Sequence, residues 1–307
     1  MSEPAPFCDD VSGDVPTLSN LGVNEILRLY AWQKDILARL AAQEDVEDLL
    51  DEICRVAEEM VPDAVASIML FDEAAGVLNV KSAPSLPPSA ISAFNGLKPG
   101  PGGGSCGNVV WSKEPQYVCS IATDPRWNDI RDLAVTFHLG ACWSHPIHGD
   151  GGEVIGTFAL TSFETREPDQ FQKNILELGA HLAGSVLRLT RAHERELLAA
   201  YHDPVTGLPN RQKLLADMED FAGRPLACFY LDLDHFQQIN DVFGQEAGDA
   251  VLKEVAARLC DRHDDDWPHC YHLGADAFVL MWQADELSHP ALERLAAQLL
   301  GQLERPI

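Results

Sequence analysis

Residues 229–249 read Phe229-Tyr-Leu-Asp-Leu-Asp-His-Phe-Gln-Gln-Ile-Asn-Asp-Val-Phe-Gly-Gln-Glu-Ala-Gly-Asp249, and this stretch decides the second half of the molecule. It opens inside an apolar run, Ala227 to Leu233, whose length suits a buried strand. The run ends on Asp232, Leu233 and Asp234. Alternate residues of an extended strand share a face, so Asp232 and Asp234 point to one side. Two carboxylates just beyond a buried strand suit a divalent cation, because Mg2+ takes hard oxygen ligands together with substrate phosphates. They equally suit solvation, or a cap on the next helix. Upstream, His202-Asp-Pro-Val-Thr-Gly-Leu-Pro-Asn-Arg211 is turn chemistry, and Asn210-Arg211 opens a helix. Downstream, the pattern predicts a strand from Phe278 to Trp282 and a helix from Pro290 to Leu303.

Toward the N-terminus the periods change. Residues 1–21 are rich in Pro, Asp and Ser, and a mobile tail is expected there. Ile26, Leu27, Tyr30, Ile36, Leu37 and Leu40 recur at helical steps, and a second helix is expected from Val46 until Pro62 stops it. Strands follow at Val65–Phe71 and Val77–Ser82, then a short helix at Pro88–Phe94. The Gly-rich residues 100–104 read as a flexible lead into Cys106 and Gly107. A strand at Gln116–Ile121, a helix over Trp127–Phe137 and a strand pair, Ala141–His148 with Glu153–Ser162 around Gly149-Asp-Gly-Gly152, complete this half. From Pro168 to about Ala200, Phe171, Ile175, Leu178, Leu182, Val186, Leu189 and Leu197 follow near-heptad spacing, which predicts a connector helix over 168–202. Its seam runs past the domain edge, so a parallel homodimer is expected; a helix packed only on its own domain is the alternative.

A chain of 307 residues suggests two domains, and 46% hydrophobic content is ordinary for globular proteins. Forty-eight acidic against 22 basic residues give a net charge of -26, which repels nucleic acid and anionic membranes. No run reaches the ~18–20 apolar residues of a membrane span, and the N-terminus is not a secretory signal, so a cytoplasmic location is expected. Eight cysteines stand singly, without a Cys-x-x-Cys pair that would point to a zinc ribbon.

The first half orders helix, two strands, loop, strand, helix, hairpin and helix, which is α+β with antiparallel strands. With Gly104-Ser-Cys-Gly-Asn108, Asp124-Pro-Arg-Trp127, Ala141-Cys-Trp-Ser-His-Pro-Ile147 and Val154-Ile-Gly-Thr-Phe-Ala159, residues 22–190 resemble a GAF domain, the small-molecule sensing fold. The resemblance implies an antiparallel sheet with flanking helices and a ligand whose identity is unknown. Candidate pocket residues are Cys106, Trp127, Cys142, Trp143 and His145. Cys106, Cys119 and Cys142 with His138, His145 and His148 suit a haem, bilin or metal, or are ordinary buried side chains. Trp111, Trp127 and Trp143 suit a pocket wall or core packing. A GAF family of free methionine sulfoxide reductases uses cysteines near Cys106 and Cys142, but its surrounding motifs are absent. The thiols become redox-active where a neighbour lowers their pKa.

Residues 203–307 are similar to a GGDEF domain through the 202–211 and 229–249 segments. That family contains diguanylate cyclases, which join two GTP molecules into cyclic di-GMP, and the resemblance implies a ferredoxin-like, nucleotide-cyclase-like fold. It implies Asp232, the Leu233 carbonyl and Asp276 as ligands of Mg2+ carried with GTP, and Asp276 as the catalytic carboxylate of the signature turn. It also implies Asn240 and Asp249 as readers of guanine, with Phe236 and Gly274 beside the nucleotide. An amide and a carboxylate do match a purine edge.

Four departures weaken the expectation of turnover. The signature turn reads Gly274-Ala-Asp-Ala-Phe278, so Ala275 stands for a glycine and Ala277 for a second carboxylate. Gln237 replaces a basic residue. The product-inhibition motif falls on Asp265 and Pro268, while Arg262 and Asp265 have the right spacing three residues upstream. The segment 263–266 is then a solvated acidic loop. Finally, residues 305–307 correspond to the middle of the family domain, so the chain is expected to be a fragment, with an EAL phosphodiesterase domain downstream in the parent protein. The expectation is a regulator of cyclic di-GMP signalling, its GAF ligand coupled to a degenerate GGDEF domain that binds GTP without turnover. The alternatives are an active diguanylate cyclase, the regulatory part of a GGDEF-EAL phosphodiesterase, or a scaffold.

Overall fold

A computed structural model describes residues 21–221, 223, 225–260, 268–283 and 287–304. Residues 1–20 of the expected tail, Arg262 and Asp265, the acidic segment 263–266 and residues 305–307 lie outside the described residues. The chain divides into two compact units, 1–191 and 192–307.

The first unit is built on strands β1 (Ala64–Asp72), β2 (Val77–Ser82), β3 (Gln116–Val118), β4 (Ala141–His148) and β5 (Val154–Ser162). They form one antiparallel sheet in the order β2-β1-β5-β4-β3. Helices α1 (Val23–Ala41), α2 (Val46–Met60) and the first half of α6 (Gln170–Tyr201) share a core with one face, through Trp32, Ile36, Leu50, Ile53, Trp143, Phe158 and Leu182. The other face holds a smaller core of Met69, Leu78, Cys106, Val118, Trp127 and Cys142. The strand alternation explains the split: Ile68 and Met69, or Cys142 and Trp143, are neighbours that end in different cores. Helix α2 is anchored by Asp45, whose carboxylate accepts from the Glu47 and Asp48 amides at 2.8 and 3.3 Å, a cap worth about 1 kcal/mol.

On that second face lie α3 (Pro88–Phe94), α4 (Gly104–Ser112) and α5 (Arg131–Thr136). Three expectations are corrected here. The Gly-rich lead runs straight into α4, which starts at Gly104 and already contains Cys106 and Gly107. The strand expected over 116–121 stops at Val118. The helix expected over 127–137 splits into a 3-10 turn, Pro125–Trp127, and α5, because Asp124 caps the turn by accepting from the Arg126 amide at 2.9 Å.

Helix α6 spans 32 residues, about 48 Å. It is buried through Leu187, whereas Leu189, Leu197 and Leu198 are exposed. It links the two units along the sequence.

The second unit has α7 (Arg211–Asp217), β6 (Leu226–Asp232), α8 (Phe236–Phe243), α9 (Gln245–Leu259), β7 (His269–Gly274), β8 (Ala277–Gln283) and α10 (His289–Leu303). The sheet is antiparallel in the order β6-β8-β7. Phe236, Leu252, Leu259, Phe278, Leu280, Leu295 and Leu299 form its main core. Asn210 caps α7 by accepting from the Gln212 and Lys213 amides at 2.8 and 3.1 Å. Strand β7 has no counterpart in the sequence expectations. Among the described residues, no helix is long and apolar enough to cross a membrane.

Candidate functional site

Each unit holds a pocket. In the first, a cavity of about 50 Å3 lies between the sheet and α4, walled by Met69, Phe94, Leu97, Trp127, Phe137 and Leu139. Its polar lining includes Cys106, Cys142, Ser105 and Thr161. The Trp127 indole N–H donates to Ser105 Oγ at 3.2 Å, and Ser105 donates to the Cys142 carbonyl at 2.8 Å. This relay ties the first turn of α4 to β4. Gly104 makes the approach possible: its φ is +70°, and an added Cβ would stand 2.6 Å from Ile130 Cδ1.

Cys106 and Cys142 both line this cavity, one from α4 and the other from β4. The Cys142 thiol first, then the Thr157 and Ser144 hydroxyls, bring the Cys106 thiol down to about 7 against the opposing effect of burial. Its partner Cys142 is pushed well up by the Cys106 contact and by burial.

Of the five expected pocket residues, Cys106, Trp127 and Cys142 line this cavity. Trp143 and His145 do not, and that expectation is corrected. Along β4, Cys142 and Trp143 must face opposite ways, so Trp143 is fully buried in the helix-side core. There Arg166 lies 5.4 Å over its ring. His145 packs near Tyr117, and burial, with His148 nearby, lowers its pKa to about 4. Trp111 is 60% exposed on α4 and does not line this cavity.

In the second unit a pocket of about 360 Å3 is lined by Phe236, Asn240, Asp249, Asp203, His272 and Ala275, among others. Helices α8 and α9 bring Asn240 and Asp249 together because the chain turns sharply at Gly244 between them. The Asn240 carbonyl oxygen is buried without a protein partner. Gly248 sits against it, where any Cβ would collide. The pocket therefore offers an unpaired acceptor, a carboxylate and the Phe236 ring. That set suits a planar ligand carrying hydrogen-bond donors.

Asp203 and His272 have no role among the sequence expectations. Asp203 Oδ1 lies 3.0 Å from His272 Nδ1, and His272 Nε2 lies 3.2 Å from the Ala275 carbonyl. Burial raises the Asp203 carboxyl, but the Thr206 amide and His272 outweigh it and hold the pKa below the usual carboxylate range. The pair thus fixes the turn between β7 and β8. The signal was present, since Asp203 falls within the 202–211 turn segment, but its partner is 69 residues away.

The carboxylates implied for metal sit at the strand ends. Asp232 ends β6 opposite Ala277, and the Leu233 N–H donates to the Asp276 carbonyl at 3.2 Å. Asp232 is exposed and Asp276 half-buried beside the turn at Gly274 and Ala275. Among the described residues no three His, Cys, Asp or Glu side chains gather into a metal cage. Two carboxylates on neighbouring segments and a carbonyl nevertheless fit Mg2+ that brings phosphate oxygens and waters as its remaining ligands. These residues would hold the ion; it would offset phosphate charge there.

Comparisons with known proteins agree with both halves. Residues 43–188 match the family model of the GAF domain, and residues 200–307 match that described as diguanylate cyclase, GGDEF domain. A methyl sulfide methyltransferase-associated sensor of Methanosarcina acetivorans is 31% identical over 55% of this chain and 17% of its own length. Diguanylate cyclase DgcP of Escherichia coli is 28% identical over 58% of this chain and 56% of its own. Cyclic di-GMP phosphodiesterase PdeR of the same organism is 35% identical over 38% of this chain and 18% of its own. The aligned part thus spans between 17% and 56% of these relatives. By sequence, the chain is a GAF domain followed by a GGDEF domain.

Proposed function

We propose that the chain is a sensory regulator of cyclic di-GMP signalling in the cytoplasm, in which the GAF cavity receives the signal and the GGDEF domain binds GTP with Mg2+ without turning it over. The observation that carries the nucleotide half is the unpartnered Asn240 acceptor in a pocket with Asp249 and Phe236. A buried acceptor without a partner costs about 1–3 kcal/mol, which a purine N–H would recover. Loss of turnover is supported by the signature turn, where Ala277 leaves Asp276 as the remaining side-chain carboxylate. The regulator reading extends to pairing of two chains. Leu189, Leu197 and Leu198 are exposed on α6, and Val23, Leu27, Tyr30 and Leu37 are exposed on α1. These stripes give two helices an apolar seam for a second copy. Relatives named a cyclase and a phosphodiesterase support a parent protein that makes or breaks cyclic di-GMP, the latter through an EAL domain.

The test is calorimetric titration of the chain with GTP and Mg2+, beside Asp232→Ala and Asn240→Ala. Saturable binding that each change weakens about tenfold, corresponding to about 1.4 kcal/mol, supports the reading. Absence of binding overturns it. The adjacency of Asp232 and the signature turn also supports a second reading, an active cyclase. Cyclic di-GMP formed from GTP, and abolished in Asp232→Ala, would replace the first reading by the second.

A further inference from the structure

Two cysteines from separate elements line the first unit's cavity. Cys106 is the third residue of α4, and Cys142 lies on β4. A thiolate near a helix N-terminus is favoured by the free backbone N–H groups of the first turn. The Ser144 hydroxyl lies 3.5 Å from Cys106 Sγ, and the Thr161 hydroxyl lies 3.4 Å from Cys142 Sγ. Each sulfur therefore has its own donor. The Trp127–Ser105–Cys142 relay holds the two elements together at this point.

The cavity limits what can reach them. At about 50 Å3 it has room for a small molecule. Drug-sized pockets run to roughly 300–1,000 Å3. The apolar walls leave the thiols as the reactive groups facing the cavity.

We propose that Cys106 and Cys142 form a peroxide-reactive dithiol, oxidised by a small hydroperoxide to a disulfide that bridges α4 to β4. The Cys106 thiolate attacks one peroxide oxygen, the O–O bond breaks, and water leaves after taking up a proton. Cys106 is now a sulfenic acid. The Cys142 sulfur attacks it, the S–S bond forms, and the hydroxyl leaves as a second water carrying the Cys142 proton. Two thiols and one hydrogen peroxide become one disulfide and two waters. A pKa of about 7 for Cys106 keeps much of it reactive at neutral pH. The proposal rests on the reading of this cavity as the sensory site and names its ligand class. It is independent of the nucleotide pocket, so failed GTP binding leaves it standing, and its own failure leaves GTP binding untouched.

The experiment treats the full chain with a few equivalents of hydrogen peroxide, alkylates the remaining thiols in denaturant and maps peptides without reduction. The expected result is a Cys106–Cys142 bridged peptide, formed roughly tenfold or more faster than any modification of Cys54. Cys54 is the internal control, a buried thiol pushed up to about 12 by burial. Bridging should quicken as pH rises through about 7, where Cys106 ionises. In Cys142→Ser, a cyclic 1,3-dione should trap sulfenic acid at Cys106. Cys106 and Cys142 both still reduced when the exposed Cys228 is oxidised would overturn the proposal, and that outcome is read on the unsubstituted chain.

Discussion

The two pockets differ in how the chain makes them. The first unit closes about 50 Å3 between a sheet face and a helix, so its wall is core and its polar atoms are thiols and hydroxyls. The second opens about 360 Å3 between helices and a turn, so its lining comes from helix faces and element ends and includes an amide, carboxylates and an imidazole. A closed cavity is set by packing, and its selectivity is size. An open pocket is set by hydrogen bonds, and its selectivity is donor and acceptor placement. Changes to one should therefore act on packing, and changes to the other on polar geometry.

The largest expected effect is on the closed cavity. Trp127 is buried and braces both the wall and Ser105. Trp127→Ala should cost about 3–5 kcal/mol in urea unfolding, because it removes a large ring and leaves a void. A cost under about 1 kcal/mol would mean that the cavity is not held by its wall. Ser105→Ala removes one hydroxyl but leaves the Trp127 N–H and the Cys142 carbonyl without that partner. The expected cost is about 2–3 kcal/mol, measured in the same way. It should also slow Cys106–Cys142 bridging, since the relay that apposes the elements is lost.

In the open pocket the effects are smaller and depend on pH. Asp203 has a folded pKa below its unfolded value, so its stabilisation is present above the unfolded pKa near ~4 and is lost as pH falls through the folded value. Asp203→Asn should cost on the order of 1.5 kcal/mol at pH 7 and flatten the acid limb of the stability curve below pH ~4. Melts from pH 6 to pH 2 test this. An unchanged acid limb would mean that the Asp203–His272 contact carries no linkage.

The same contrast explains what could be read from the sequence. Strands β1, β2, β4 and β5 emerged to within a residue or two, since alternating burial is written locally. Alternation also argued against placing Cys142 and Trp143 in one pocket, a constraint the motif Ala141-Cys-Trp-Ser obscured. Helix α4 was hidden because three glycines suggest a loop, while Gly104 is needed for its positive φ and for contact with Ile130. Strand β7 was hidden because His269 and His272 interrupt its apolar pattern. His272 is nevertheless buried, and what compensates it is Asp203, a partner from another part of the chain. Asn240, Asp249 and Phe236 were legible only by resemblance; the helices that gather them are local, but the pocket is not.

The smallest effect tests the rim of the open pocket. Ala275 has φ of 54°, the left-handed region, in the turn between β7 and β8. Its Cβ there approaches the following carbonyl, at a cost of roughly 1–2 kcal/mol. Glycine removes that strain but adds about 0.5–1 kcal/mol of unfolded-state entropy. Ala275→Gly should therefore stabilise the second unit by about 0.5–1 kcal/mol, a rise of about 2–6 °C in its melting temperature. The carbonyl at 275 faces His272 in either case, so the hydrogen bond is kept. A rise without new GTP turnover would show that the turn's strain and its missing carboxylate at Ala277 are separate departures. Turnover appearing with the glycine alone would show that backbone approach, and not the lost carboxylate, had silenced the site.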